Sequence, residues 1–217
     1  MDTLTIRKSD AGVRELANKD AVMGKLIDHV GDIEVPKRTD YFASLIRSIT
    51  GQQISVAAAS AVFERLRTLT NDSITAAGIK AVSDDALHTI GFSKRKIQYI
   101  RDLLAHVERQ DIVLSTLPML DNDTIIKQLT SVKGIGKWTA EMFLILSLGR
   151  MDILAIDDIG IQRGARWLYQ VDKSERRDIL KQYQPVWSPH LTIASCYLWE
   201  VVHLDLERRF PTVDAVE

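Results

Sequence analysis

Apolar residues recur at helical spacing along most of this 217-residue chain. Phe42, Leu45, Ile46 and Ile49 mark one face; Val56, Ala59, Phe63 and Leu66 mark a second; Ile97, Ile100, Leu104 and Val107 mark a third. Steps of three and four residues place such side chains on one stripe of an α-helix. No alternation of period two persists long enough to predict a strand. The 11 glycines and 5 prolines fall mostly between these runs, where they act as punctuation. The pattern predicts an all-α fold with short connections, and neither a repeat nor a low-complexity tract accompanies it. Ser55 reads as the N-cap of the helix beginning at Val56.

At this length, 46% hydrophobic residues suffice to bury a core, as one large domain or two smaller lobes. The longest apolar stretches, such as Met142 to Leu148, are too short to cross a bilayer, and the opening MDTLTIRKSD lacks the apolar core of a signal peptide. No membrane partner is expected, and the location expected is the cytoplasm and nucleoid in a bacterium or the nucleus in a eukaryote. The single cysteine, Cys196, excludes a disulfide scaffold and a four-cysteine iron–sulfur cluster within the chain. His29, His88, His106, His190 and His203 show no zinc-site spacing, and no phosphate-cradling Walker pattern occurs.

A net charge of −1 argues against a uniformly basic nucleic-acid binder, so local charge matters more. Lys94, Arg95 and Lys96 follow the turn at Gly91, and Lys133 and Lys137 bracket a second turn. A footprint of this size suits a protein that grips few phosphates and must let go. Taken alone, Lys94 to Lys96 reads equally well as the solvated start of a helix.

The second turn lies in Leu129 to Glu141, LTSVKGIGKWTAE. An apolar run ending in Leu129 and Val132 meets Gly134-Ile135-Gly136, and a new helical pattern starts at once with Trp138-Thr139-Ala140. Two glycines allow a tight reversal with bare backbone N–H groups. Those groups at a helix N-terminus form an anion site flanked by Lys133 and Lys137, so a DNA phosphate is the natural guest. The segment is a helix-hairpin-helix, with Lys133, Gly134, Gly136, Lys137 and Thr139 as its expected backbone contacts.

Beyond it stands AIDDIGIQRG, Ala155 to Gly164. The hairpin, its spacing to Asp158 and the pattern Asp158-x-x-Ile161-x-Arg163 resemble the helix-hairpin-helix superfamily of base-excision DNA glycosylases, and within it the AlkA-type 3-methyladenine DNA glycosylase II branch. The resemblance runs from about Tyr41 to Glu207 and includes SITGQQISVAAA, GFSKRKIQYIRDL and WSPHLTIASCYLW. It implies two helical lobes around a DNA-binding cleft. One lobe would be 42–150, ending in the hairpin at 129–141; the other would be discontinuous, 1–41 plus 151–217.

The resemblance also implies roles. Asp158 would be the catalytic carboxylate, because cleavage of an N-glycosidic bond passes through an oxocarbenium-like sugar that a fixed carboxylate stabilises. It precedes the helical pattern from Gly160 to Tyr169, whose N-terminus favours negative charge. Asp157 would be a cap or a secondary carboxylate. Relatives that also nick the strand carry a Schiff-base lysine where this chain has Trp138, so a monofunctional enzyme leaving an abasic site is implied. Trp138, Trp199 and Met142 would line the base pocket, where an aromatic face stacks on a cationic alkylated purine. The family commonly has Arg-Ser after the proline equivalent to Pro189, whereas this chain has Leu191-Thr192.

By the same resemblance Gln53 would be the wedge residue that fills the gap left by a flipped base. Carbonyls of Thr130, Val132 and Ile135 would hold a structural Na+ or K+, and no other cofactor is required. The implied partner is double-stranded DNA containing alkylated bases, met by a monomer. Two alternatives stay open: a non-catalytic helix-hairpin-helix protein that binds DNA structure, and a glycosylase for deaminated or oxidised bases.

Overall fold

The computed structural model describes residues 3–216. By their internal contacts these fall into two compact units, Met1–Lys37 with Leu144–Glu217, and Arg38–Phe143. The boundaries thus stand at 37/38 and 143/144, against the expected 41/42 and 150/151.

The first unit opens with β1 (Thr3–Ile6), α1 (Ala11–Lys19), α2 (Ala21–Val30) and β2 (Ile33–Pro36). β1 and β2 pair antiparallel with Ile6 opposite Ile33, and only those two residues of the pair are buried. The fold is helical, as the periodicity predicts, with this small two-stranded sheet beside the helices. Four residues per strand are too few for alternation to be distinguished from chance.

The second unit contains α3 (Tyr41–Gly51), α4 (Val56–Leu69), α5 (Ala76–Ala81), α6 (Asp84–Thr89), α7 (Lys94–Glu108), α8 (Asn122–Thr130) and α9 (Lys137–Phe143). Most begin at a side chain that accepts an otherwise orphaned N–H: Asp40, Ser55, Thr75, Ser83, Ser93 and Asp121 cap α3 to α8 in turn. Leu45, Ile46, Ile49, Leu66, Ile100, Leu103 and Leu129 are wholly buried between these helices. Val56 leaves the predicted stripe: it is 85% exposed in the first turn of α4, and Val62, Phe63 and Leu66 carry the packing instead.

The chain then returns to the first unit through a π-helical turn, Leu144–Leu148, and completes it with α10 (Ile159–Tyr169), α11 (Arg176–Trp187), α12 (Leu191–His203) and α13 (Leu206–Arg209). α10 crosses α12 at Gly164, where any Cβ would lie 2.2 Å from the carbonyl oxygen of Leu198. That contact sets how closely the two helices approach. Buried Asp20 ties three helices together: it accepts the N–H groups of Val22 and Met23, the Tyr169 hydroxyl at 2.5 Å and the Trp187 indole N–H at 2.8 Å. With four donors, its burial leaves no unmet demand.

Among the described residues, no helix is long and apolar enough to cross a membrane.

Candidate nucleic-acid interface and carboxylate site

The hairpin forms as the glycine spacing predicts: α8 ends at Thr130, the chain reverses through 131–136, and α9 starts at Lys137. Gly134 takes a φ of +83°, a region that residues with a side chain seldom adopt. A second constraint acts there, since a Cβ would lie 2.1 Å from Cδ2 of Tyr99 on α7. The turn rests directly on that ring. Gly136 is different: it is exposed, and an added Cβ would meet nothing within 4 Å. Its smallness is therefore available to an approaching backbone.

Not every N–H of the turn is bare. The N–H of Lys133 donates to Asp102 Oδ2 on α7 at 2.8 Å, while the Lys133 ammonium stays exposed, 3.9 Å from Oδ1. Lys133 thus offers its side chain rather than its amide. Thr139, the remaining expected phosphate contact, differs from the others in burial. It is buried on the inner face of α9, two residues after the exposed Lys137, because a two-residue step turns about 200° around the helix. Lys137 lies 3.6 Å from the buried Glu141 one turn on. The Val132 carbonyl accepts the N–H of Ile135 at 3.1 Å.

Trp138 is 44% exposed at the start of α9, an unusual place for so large an apolar surface. Met142, one turn later, is buried.

The Gln52-Gln53 loop lies between α3 and α4. Gln53 is held at a φ of +57°, and Gln52 donates from Nε2 to the Gly134 carbonyl at 2.7 Å. Two residues of the cationic triplet at the start of α7 reach this loop: Lys96 donates to the Thr50 carbonyl at the end of α3 (2.7 Å), and Arg95 donates to Gln53 Oε1 (3.0 Å). Burial, then the neighbouring Arg95, pushes the Lys96 ammonium below the ordinary lysine range. Lys94 and Arg95 are both exposed at the start of the helix, and Lys96 is half-buried.

In the first unit, Asp158 is the N-cap of α10 and is buried. Its Oδ1 accepts the N–H of Ile161 at 2.9 Å and the indole N–H of Trp199 at 3.0 Å. Gly160 leaves room for this pairing, as a Cβ there would stand 3.0 Å from the Trp199 ring and 3.1 Å from Asp158 Oδ1. A carboxylate locked by a helix N-terminus and an indole N–H has a fixed direction. Asp157, by contrast, is exposed and paired with Arg177 at 2.5 Å. Arg163 pairs with Glu207.

The loop before Asp158 is anchored by Thr192, which the sequence marked only as a departure from the family pattern. Its hydroxyl donates to the Arg150 carbonyl at 2.7 Å and accepts the N–H of Ile153 at 3.1 Å. Gln162 adds a bond to the Ile156 carbonyl at 2.6 Å. Cys196 is buried, and that burial, with Glu200 adding to it, pushes its thiol up to about 12, so it is no nucleophile.

A family model for the HhH-GPD superfamily of base excision DNA repair proteins matches residues 46–189. The chain belongs to this superfamily. A DNA-3-methyladenine glycosylase of Schizosaccharomyces pombe is 31% identical over 183 residues, 83% of this chain and 80% of the relative. A DNA-3-methyladenine glycosidase structure from Bacillus halodurans aligns with a TM-score of 0.89 at 35% identity, over 98% of both chains. The S. pombe 3-methyladenine DNA glycosylase in complex with abasic DNA aligns at a TM-score of 0.81 and 28% identity, over 89% of this chain and 97% of that one. The HhH-GPD match takes in Gln53, the hairpin and Asp158, and stops before Trp199.

The two hairpin glycines have different surroundings, and substitution should separate their effects. Gly134→Ala, which drives a methyl into Tyr99, is expected to cost about 1–3 kcal/mol of stability. Gly136→Ala should leave thermal melting near wild type and weaken damaged and undamaged duplexes alike, roughly three- to tenfold, the scale of one lost hydrogen bond. Melting curves and equilibrium binding to both duplexes check this. A loss confined to lesion DNA for Gly136→Ala would contradict a sequence-independent clamp.

Proposed function

We propose that the protein is a DNA-3-methyladenine glycosylase of the AlkA type, a hydrolase that releases alkylated purines from double-stranded DNA in base excision repair. The observation that carries this reading is the locked Asp158 carboxylate, at the N-cap of α10 in a chain of this superfamily.

The chemistry follows from the substrate. An alkyl group on purine N3 or N7 makes the base cationic, so it departs as a neutral molecule with the electron pair of the C1′–N bond. The sugar is left as an oxocarbenium-like cation, which Asp158 stabilises electrostatically. Water then adds its oxygen to C1′, its proton passes to Asp158 or solvent, and an abasic site remains. Trp138 offers its exposed face to the flipped base, with Met142 behind it on the same helix. Trp199 steers the carboxylate through its N–H. Gln53 fills the gap in the stack, and Lys133, Lys137 and the glycine backbone of the hairpin hold phosphates.

The protein acts as a monomer and needs no cofactor for this chemistry. A monovalent cation would be structural, held by the carbonyls of Thr130, Val132 and Ile135 from the end of α8 into the hairpin turn, with the Val132 carbonyl using its second lone pair because it already accepts the Ile135 N–H.

Because Trp138 stands in the Schiff-base position and cannot act as a nucleophile, the product should be an intact strand bearing an abasic site, cleaved only on later treatment with alkali. Borohydride added during turnover should trap no protein–DNA adduct. A trapped adduct with the wild-type protein would overturn the monofunctional mechanism.

A further inference from the structure

Residues 50, 52 and 53, at the end of α3 and in the stretch that joins it to α4, are each held by a hydrogen bond from or to a distant segment. The Thr50 carbonyl accepts from Lys96, Gln52 donates to the Gly134 carbonyl, and Gln53 accepts from Arg95. Two of these tethers start from adjacent residues of α7, and the ring of Tyr99, one turn further on, lies against Gly134 and 6.0 Å from the Arg95 guanidinium. The Gln53 loop and the hairpin turn are thus built on the same face of α7.

From this juxtaposition we infer that Arg95 is a positioning residue that presets Gln53 for base flipping. The inference rests on the assignment of Gln53 as the wedge. A glutamine has three rotatable side-chain bonds, and on an exposed loop it would sample many orientations before entering a duplex. Arg95 limits them. A guanidinium only donates hydrogen bonds, so it can meet only the carbonyl oxygen of the Gln53 amide. The bond at 3.0 Å therefore fixes which end of the amide faces α7, and the NH2 group is the end presented outward. Two outward donors match the acceptors on an orphaned base, such as the O2 of a pyrimidine.

The backbone supports the same purpose. A φ of +57° at a glutamine is an uncommon state that surrounding contacts must maintain. The tethers at Thr50 and Gln52 hold the chain just before it, and Arg95 holds the side chain itself. Arg95 in turn lies at the outer distance of a cation–π contact with Tyr99. The wedge is thus oriented before DNA arrives, and less ordering remains to be done during flipping.

Stopped-flow fluorescence of 2-aminopurine placed beside a lesion, combined with single-turnover base release, tests this in four proteins: Gln53→Ala, Arg95→Ala, Arg95→Gln and the Gln53→Ala/Arg95→Ala double variant. Arg95→Ala should slow flipping roughly three- to tenfold, the scale of a single lost hydrogen bond. It should have no further effect when Gln53 is already alanine. Arg95→Gln keeps a donor for Gln53 Oε1 but loses the charge, and should restore much of the flipping rate. If Arg95→Ala slows flipping equally in both backgrounds and Arg95→Gln restores nothing, Arg95 is a direct phosphate contact and the positioning role is wrong. If Gln53→Ala itself leaves flipping unchanged, the wedge assignment fails first and the positioning role falls with it.

Discussion

Replacing Asp158 with asparagine should reduce single-turnover base release by at least about 10²–10³-fold, the range for removing one preorganised electrostatic stabiliser from an active site. DNA binding should remain. The structure makes this substitution unusually informative. Asparagine is as good an N-cap as aspartate, and its carbonyl can still accept the N–H of Ile161 and the indole N–H of Trp199, as Oδ1 does now. The cap survives while the negative charge is lost. A residue that only terminated α10 would tolerate the change, whereas one that stabilises a sugar cation would not. Asp157→Asn removes an exposed partner of Arg177 and should leave the rate near wild type, since surface ion pairs contribute little. The reverse order of effects would mean that Asp157 is the catalytic carboxylate.

Truncating Trp138 should give the next largest loss. Stacking of a base on an aromatic ring is worth roughly 1–3 kcal/mol, so Trp138→Ala should slow release of 3-methyladenine or 7-methylguanine about ten- to a hundredfold. The ring is 44% exposed at the first turn of α9, so little core packing is lost with it, and melting should show an intact fold. Affinity for undamaged duplex should hardly change if, as proposed, phosphates are held by Lys133, Lys137 and the glycine backbone rather than by the Trp138 ring. Trp138→Phe should fall between the two. Equal losses on lesion and undamaged DNA would assign Trp138 to general binding rather than to the flipped base.

The local features of this protein were legible in its sequence, and the reason is their range. Helices α3, α4, α7 and α8 announce themselves through apolar stripes and a Ser or Asp cap, both set by residues a few positions apart. The hairpin glycines and the Asp158 cap are likewise short-range signals. What stayed hidden connects distant segments. Asp102 reaches the N–H of Lys133 across 31 positions, Thr192 reaches Ile153 across 39 and Arg95 reaches Gln53 across 42. No periodicity encodes such pairs. Val56 shares the stripe of Phe63 and Leu66 yet is exposed, because a stripe gives the face of a helix and not how far along it the packing extends. The β1–β2 pair was missed because four residues per strand carry too little pattern.

The most direct test of an alkylpurine glycosylase is a comparison of single-turnover release by the wild-type protein from duplexes that differ only in the lesion. Methylated purines couple a cationic, strongly stacking base to a weak glycosidic bond, so 3-methyladenine and 7-methylguanine should be released faster than neutral 8-oxoguanine or uracil, with hypoxanthine slower than the methylated bases. Faster release of 8-oxoguanine or uracil than of the methylated purines would contradict the assignment.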